Sequence, residues 1–68
     1  MNKIKQIRKE LGMGQVEFAQ AIGAKQPSIS YYENGLHQIM PDVAGRLIAF
    51  AGSKGIKVTF DDIYQGDA

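Results

Sequence analysis

The spacing of glycine and proline is the tightest constraint on how these 68 residues can fold. Gly12, Gly23 and Asn34-Gly35 stop three consecutive stretches of helical character, about Asn2 to Leu11, Gln15 to Ile22 and about Gln26 to Glu33. In the first, Ile4, Ile7 and Leu11 recur at i, i+3 and i+7 and share a helix face. In the second, Phe18, Ala19 and Ile22 fall on one side, with Glu17 and Gln20 on the other. The third carries Ile29 and Tyr32, and its Pro27 fits only within the first turn, where no amide proton is needed. Helices this short are unstable alone in water, so they must pack across one another.

Residues 34–40 read as a loop. Pro41-Asp42 then opens a fourth helix whose apolar face is Val43, Ala44, Leu47, Ile48 and Ala51. Gly45 and Gly52 inside it each cost about 1 kcal/mol relative to alanine. Close packing against another backbone is the favoured explanation; a dimer contact or an approach to phosphate is the alternative. Ile56 to Phe60 alternates apolar and polar residues as a short strand would, while Thr59-Phe60-Asp61-Asp62 resembles a capping box. Together these predict an extended lead-in to a short fifth helix ending near Tyr64. The expected architecture is all-α, a compact bundle of about five short helices. One domain spans 1–64, and 65–68 form a loose tail.

Composition restricts what such a bundle can do. Hydrophobic residues make up 44% of the chain, which suits one core. A chain of this size buries only about 60% of its unfolded surface, so stability is expected to be marginal. Without cysteine there is no disulfide, thiolate metal site or cysteine nucleophile, and the single histidine, His37, rules out a His-rich metal site. No apolar run approaches the roughly 18 residues of a membrane span, and no signal-peptide pattern opens the chain. The acids Asp61 and Asp62 are adjacent on a helix and do not face each other, so capping explains them better than catalysis. The expectation is a cytoplasmic domain that binds and does not catalyse, with no metal and no cofactor.

The charge is uneven. The net value is +1, but residues 1–58 hold eight bases against four acids, and residues 59–68 hold Asp61, Asp62 and Asp67 with no base. A basic body with an acidic tail is compatible with nucleic acid on one face.

The spacing of the second and third blocks is more specific. From Gln15, the small Ala19 lies four residues on and Gly23 another four, with Ile29 and Tyr32 at fourteen and seventeen. A helix-turn-helix needs this layout: a small residue for close approach, a glycine for the left-handed turn, and an apolar pair that turns the rest of the second helix outwards. Residues 7–35, from Ile7-Arg8-Lys9-Glu10-Leu11 through Gln26-Pro27-Ser28-Ile29-Ser30 to Glu33-Asn34-Gly35, resemble the phage repressor/Cro helix-turn-helix family, the lambda repressor-like DNA-binding fold. The similarity extends more weakly to the Pro41 helix and to Val58–Tyr64.

The resemblance implies that the third helix lies in the major groove of double-stranded DNA. Gln26 matches a base-reading position, and its amide can pair with adenine in two-point fashion. Pro27 can offer only apolar contact, as to a thymine methyl. Ser28 is either a donor to base or phosphate or a helix-start residue with no partner. Tyr31 points outwards, where groove or sugar-phosphate contact is favoured over a ring packed on the surface, whereas Tyr32 is core. Gln15, Lys25, Ser30 and Asn34 are the expected backbone contacts, with Lys25 replacing the usual capping serine or threonine. Arg8 and Glu33 are expected to pair across the first and third helices. Lys3, Lys5, Lys9 and Arg46 are weaker candidates for backbone contact, with solvated surface charge as the favoured reading.

The expected function is that of a small Cro-like repressor acting by operator occupancy. No sensor or cleavable domain is expected. One monomer reads too few base pairs for specificity, which implies a homodimer on a near-palindrome. Leu36, Ile39, Met40, Phe50 and Val58 are the apolar candidates for its interface, with a place in the core as the alternative for each. The alternative is an antitoxin or bridging-type module that uses the same fold to bind a protein partner.

Overall fold

The computed structural model describes residues 3–64. They form five helices: α1 (Ile4–Glu10), α2 (Gln15–Ile22), α3 (Gln26–Glu33), α4 (Pro41–Ser53) and α5 (Phe60–Tyr64). The expected start of the first helix at Asn2 and the tail 65–68 lie outside the described residues. α1 closes at Glu10 with Leu11 as its C-cap, one residue earlier than periodicity alone suggests.

The packing is centred on α2. It contacts both α3 and α4, while α1 reaches α3 and α4 carries α5. The core takes Ile4 and Ile7 from α1, Phe18, Ala19 and Ile22 from α2, Ile29 from α3, and Val43, Ala44, Leu47 and Ala51 from α4, with Ile63 from α5. Leu11, Tyr32 and Ile48 are partly buried against it. Short helices are thereby stabilised by tertiary burial, at about 25 cal/mol for each Å² of apolar surface removed from water.

The turn between α2 and α3 depends on Gly23, which sits at φ 70°. In that left-handed conformation the Ala24 N–H donates to the Ala19 carbonyl at 2.8 Å and the Gly23 N–H to Gln20 at 3.4 Å, so the last carbonyls of α2 are satisfied. Arg46 of α4 completes this end, its Nε donating to the Ile22 carbonyl at 2.9 Å. A Cβ on Gly23 would stand 3.0 Å from that same Nε. Arg46 is therefore no idle surface charge; it fastens the turn to α4.

The fifth helix is anchored at both ends. Thr59 and Asp62 form the expected reciprocal cap, Thr59 N–H to Asp62 Oδ2 at 3.0 Å and Asp62 N–H to Thr59 Oγ1 at 3.2 Å. Hydrogen bonding from the Thr59 N–H, then from its hydroxyl, with Lys3 nearby, holds the Asp62 carboxyl below its usual value. At the other end the Tyr64 hydroxyl donates to the Ile39 carbonyl at 2.6 Å. Burial, and then the nearby Asp42 and Tyr32, raise the Tyr64 phenol above its usual value.

The lead-in to α5 is irregular over 56–59, and among the described residues there is no strand for its alternating pattern to pair with. Two expectations need correction. Gly45 and Gly52 do not allow a close backbone approach, because a Cβ at either would meet nothing within 4 Å. Of the five apolar interface candidates, Ile39 and Val58 belong to the core and Phe50 is half-buried, while Leu36 and Met40 remain 67% and 60% exposed.

Candidate nucleic-acid interface

α3 buries one edge and presents the other. Ile29 is fully buried and Tyr32 packs against the core, whereas Gln26, Pro27, Tyr31 and Asn34 are exposed and Ser28 and Ser30 half-buried. Pro27 and Tyr31 are four apart and Ser30 and Asn34 likewise, so the exposed residues line one continuous face. Pro27 stands in the first turn, where its missing N–H costs no hydrogen bond. Lys25 is the N-cap and supplies no side-chain cap, leaving its ammonium exposed just ahead of that turn.

The inner end of α3 is held by polar groups. Arg8 donates to both carboxylate oxygens of Glu33, from Nε to Oε2 and from Nη2 to Oε1 at 3.3 Å. Its Nη1 reaches the Met13 carbonyl at 3.0 Å. Gln15 adds a third donor to the carboxylate, Nε2 to Oε1 at 3.2 Å. The Glu33 side chain is only 4% exposed and that of Arg8 12%, so this is a largely desolvated, fully hydrogen-bonded pair. A carboxylate in the last turn of a helix faces the negative end of the dipole; three donors offset that penalty. One network thus joins α1, the start of α2 and the end of α3.

The network changes what Gln15 has to offer. One amide hydrogen is committed to Glu33, while the first-turn N–H groups of α2 have no carbonyl within the helix to bond. Glu17 takes the Gly14 N–H at 3.1 Å. Ser30 and Asn34, both expected at the sugar-phosphate backbone, hydrogen-bond each other, Asn34 Nδ2 to Ser30 Oγ at 3.4 Å.

Beyond α3 the chain folds back on it. The Leu36 N–H donates to the Tyr31 carbonyl at 2.9 Å and the Gly35 N–H to that of Tyr32 at 3.2 Å, with Gly35 at φ 73°. The loop this creates brings the His37 and Tyr31 rings into a T-shaped contact, centroids 5.0 Å apart. A shallow groove between loop and helix is lined by Ser28, Tyr31, Tyr32, His37, Gln38 and Met40.

Sequence reasoning missed Arg46, the Gln15–Glu33 bond and the Tyr31–His37 contact. The first spans 24 residues between side chain and carbonyl, and no local spacing signals it. The third followed in principle from Asn34-Gly35, since a left-handed turn there must send the next residues back along the helix.

Among the described residues no helix is long and apolar enough to cross a membrane, and no group of acids and histidines could hold a metal ion. Comparison with known proteins gives one match: the family model described as helix-turn-helix covers residues 4–55. Neither a curated protein nor a solved structure matches significantly.

Proposed function

The chain belongs to the repressor/Cro-type helix-turn-helix family of DNA-binding regulators, and from that premise we propose that it is a sequence-specific, double-stranded DNA-binding protein. In this reading it acts in the cytoplasm as a small Cro-like repressor, occupying an operator and excluding polymerase. Residues 1–64 form the binding domain. α3 enters the major groove with Gln26, Pro27, Ser28 and Tyr31 towards the bases. Gln15, Lys25, Ser30 and Asn34 contact the sugar-phosphate backbone, Gln15 through its remaining amide hydrogen and the free N–H groups around it. Arg8 and Glu33 set the angle of the reading helix and touch no base.

The observation that carries the reading is the division of α3: an inner edge tied down by Ile29 and the Glu33 network, and an outer edge of polar and small apolar side chains left to solvent. A helix that served only the core would have no reason to expose Tyr31 at 45%. A second copy on a near-palindrome, with half-sites about one helical turn apart, supplies the specificity one module lacks. The exposed Leu36 and Met40 are available to such a dimer.

Selection of bound duplexes from a random library tests this directly. Recovery of a palindrome supports a dimeric reader. A single short half-site removes the homodimer from the proposal, and no enrichment rejects DNA recognition in favour of a protein partner. Gln26→Ala is expected to cost about 1–3 kcal/mol and to relax preference at one base position.

A further inference from the structure

The outer edge of α3 carries no cation. In the helix sequence QPSISYYE the one formal charge is Glu33, whose side chain is 4% exposed and paired with Arg8. The commonest specific contact in the major groove, Arg or Lys to guanine O6 and N7, therefore has no donor on this helix. What the edge does offer is Gln26, suited to adenine, and two exposed apolar surfaces one turn apart, Pro27 and Tyr31. Their chemistry matches the single apolar feature of the major groove, the thymine 5-methyl group. The Tyr31 ring meets the His37 ring in a T-shaped contact, centroids 5.0 Å apart, and the loop that carries His37 is itself hydrogen-bonded to the Tyr31 carbonyl.

We infer that Pro27 and Tyr31 form an apolar strip that reads thymine methyl groups, with His37 as the residue that positions the Tyr31 ring, so that the preferred half-site is A·T-rich and methyl-dependent. The inference rests on the DNA-binding reading above and specifies its ligand. Residues four apart on a helix stand about 5–6 Å from each other, and successive base pairs about 3.4 Å. The two methyl-sensitive positions accordingly lie within two base pairs of each other. Lys25 stands outside the strip, at the cap, and contributes charge without sequence.

The test uses the best duplex from the random-library selection, resynthesised with uracil for thymine at one position at a time. This exchange removes the methyl and leaves every hydrogen-bonding group in place. Each methyl in contact is worth about one buried CH₂, or about fourfold in Kd. The intact protein is expected to lose about fourfold at each of two neighbouring positions. Tyr31→Ala brings the thymine-to-uracil ratio at one of them to about one, and Pro27→Ala does so at the other. His37→Ala lowers the ratio at the Tyr31 position while affinity for the uracil duplex stays unchanged, a separation that general loss of structure would not produce. Lys25→Met weakens thymine and uracil duplexes alike and reduces the salt slope by about one. Circular dichroism of each variant checks the fold. Tight binding that is indifferent to uracil at every position, or a guanine-rich selected half-site, overturns the inference while leaving DNA binding intact. Failure to retain any duplex overturns both.

Discussion

α3 and α4 are both pinned along one side, but by different means. The eight residues of α3 place one side chain wholly in the core, Ile29, and rely otherwise on Tyr32 and the Arg8–Glu33–Gln15 network. The thirteen residues of α4 bury Val43, Ala44, Leu47 and Ala51, and add one side-chain bond to a neighbouring helix, from Arg46 to the Ile22 carbonyl. Their outer surfaces differ as well. That of α3 carries hydrogen-bonding groups and an aromatic ring, whereas Gly45 and Gly52 leave α4 with open space where side chains would stand. The contrast teaches that stability and presentation are divided between helices. α4 contributes apolar burial, and α3, with little apolar surface to spare, is oriented by directional bonds that fix its angle.

The sharpest way to break this comparison is Leu47→Ala. A fully buried leucine on the load of the core should cost about 4 kcal/mol, most of the stability of a domain this small, as read from urea or thermal unfolding. A loss under about 1 kcal/mol would mean that α4 is not the stabilising element. Glu33→Gln comes next. It leaves the Arg8 guanidinium largely desolvated without its counter-charge, and about 3 kcal/mol is expected from unfolding measurements. If α3 is oriented through this pair, the surviving folded fraction also binds the selected duplex more weakly; unchanged affinity per folded molecule would show that the pair stabilises without orienting.

Smaller and opposite in sign are Gly45→Ala and Gly52→Ala. Each meets open space and should raise stability by up to about 1 kcal/mol through helix propensity. Should either variant gain stability yet lose DNA affinity, the outer face of α4 takes part in assembly after all. The smallest effects concern pH and the seat of α5. Asp62 is held below 3.8, chiefly by the Thr59 N–H and hydroxyl, so its contribution is present above the unfolded value and fades as pH falls through the folded one. Tyr64 is raised above 10.0, chiefly by burial; its contribution is present below the unfolded value and is lost as pH rises through the folded one. Unfolding midpoints against pH should decline at both limbs, with Asp62→Asn flattening the acid limb and Tyr64→Phe the alkaline one.

Much of the fold was legible because its signals are local. Gln15–Ile22 and Gln26–Glu33 end where Gly23 and Asn34-Gly35 predict, since a left-handed turn after a helix is a backbone preference that needs no partner. The Thr59–Asp62 cap lies within one turn and was legible for the same reason. The glycines of α4 were misread because propensity reports that glycine is costly in a helix but not what stands opposite it. Leu36, Ile39, Met40, Phe50 and Val58 looked equivalent as apolar residues outside the clear helical stripes; only packing separated the buried Ile39 and Val58 from the exposed Leu36 and Met40.

Sequence alone therefore determined the helices, their turns, and which edge of α3 is apolar, because each follows from periodicity and from residues a few positions apart. Tertiary structure decided how that edge is held and what the other edge can touch. Arg46 on the end of α2 and Gln15 diverted to Glu33 join groups far apart in sequence that chain folding brings together. Such contacts depend on the angle at which helices cross, and that angle is set by the summed packing of the whole core.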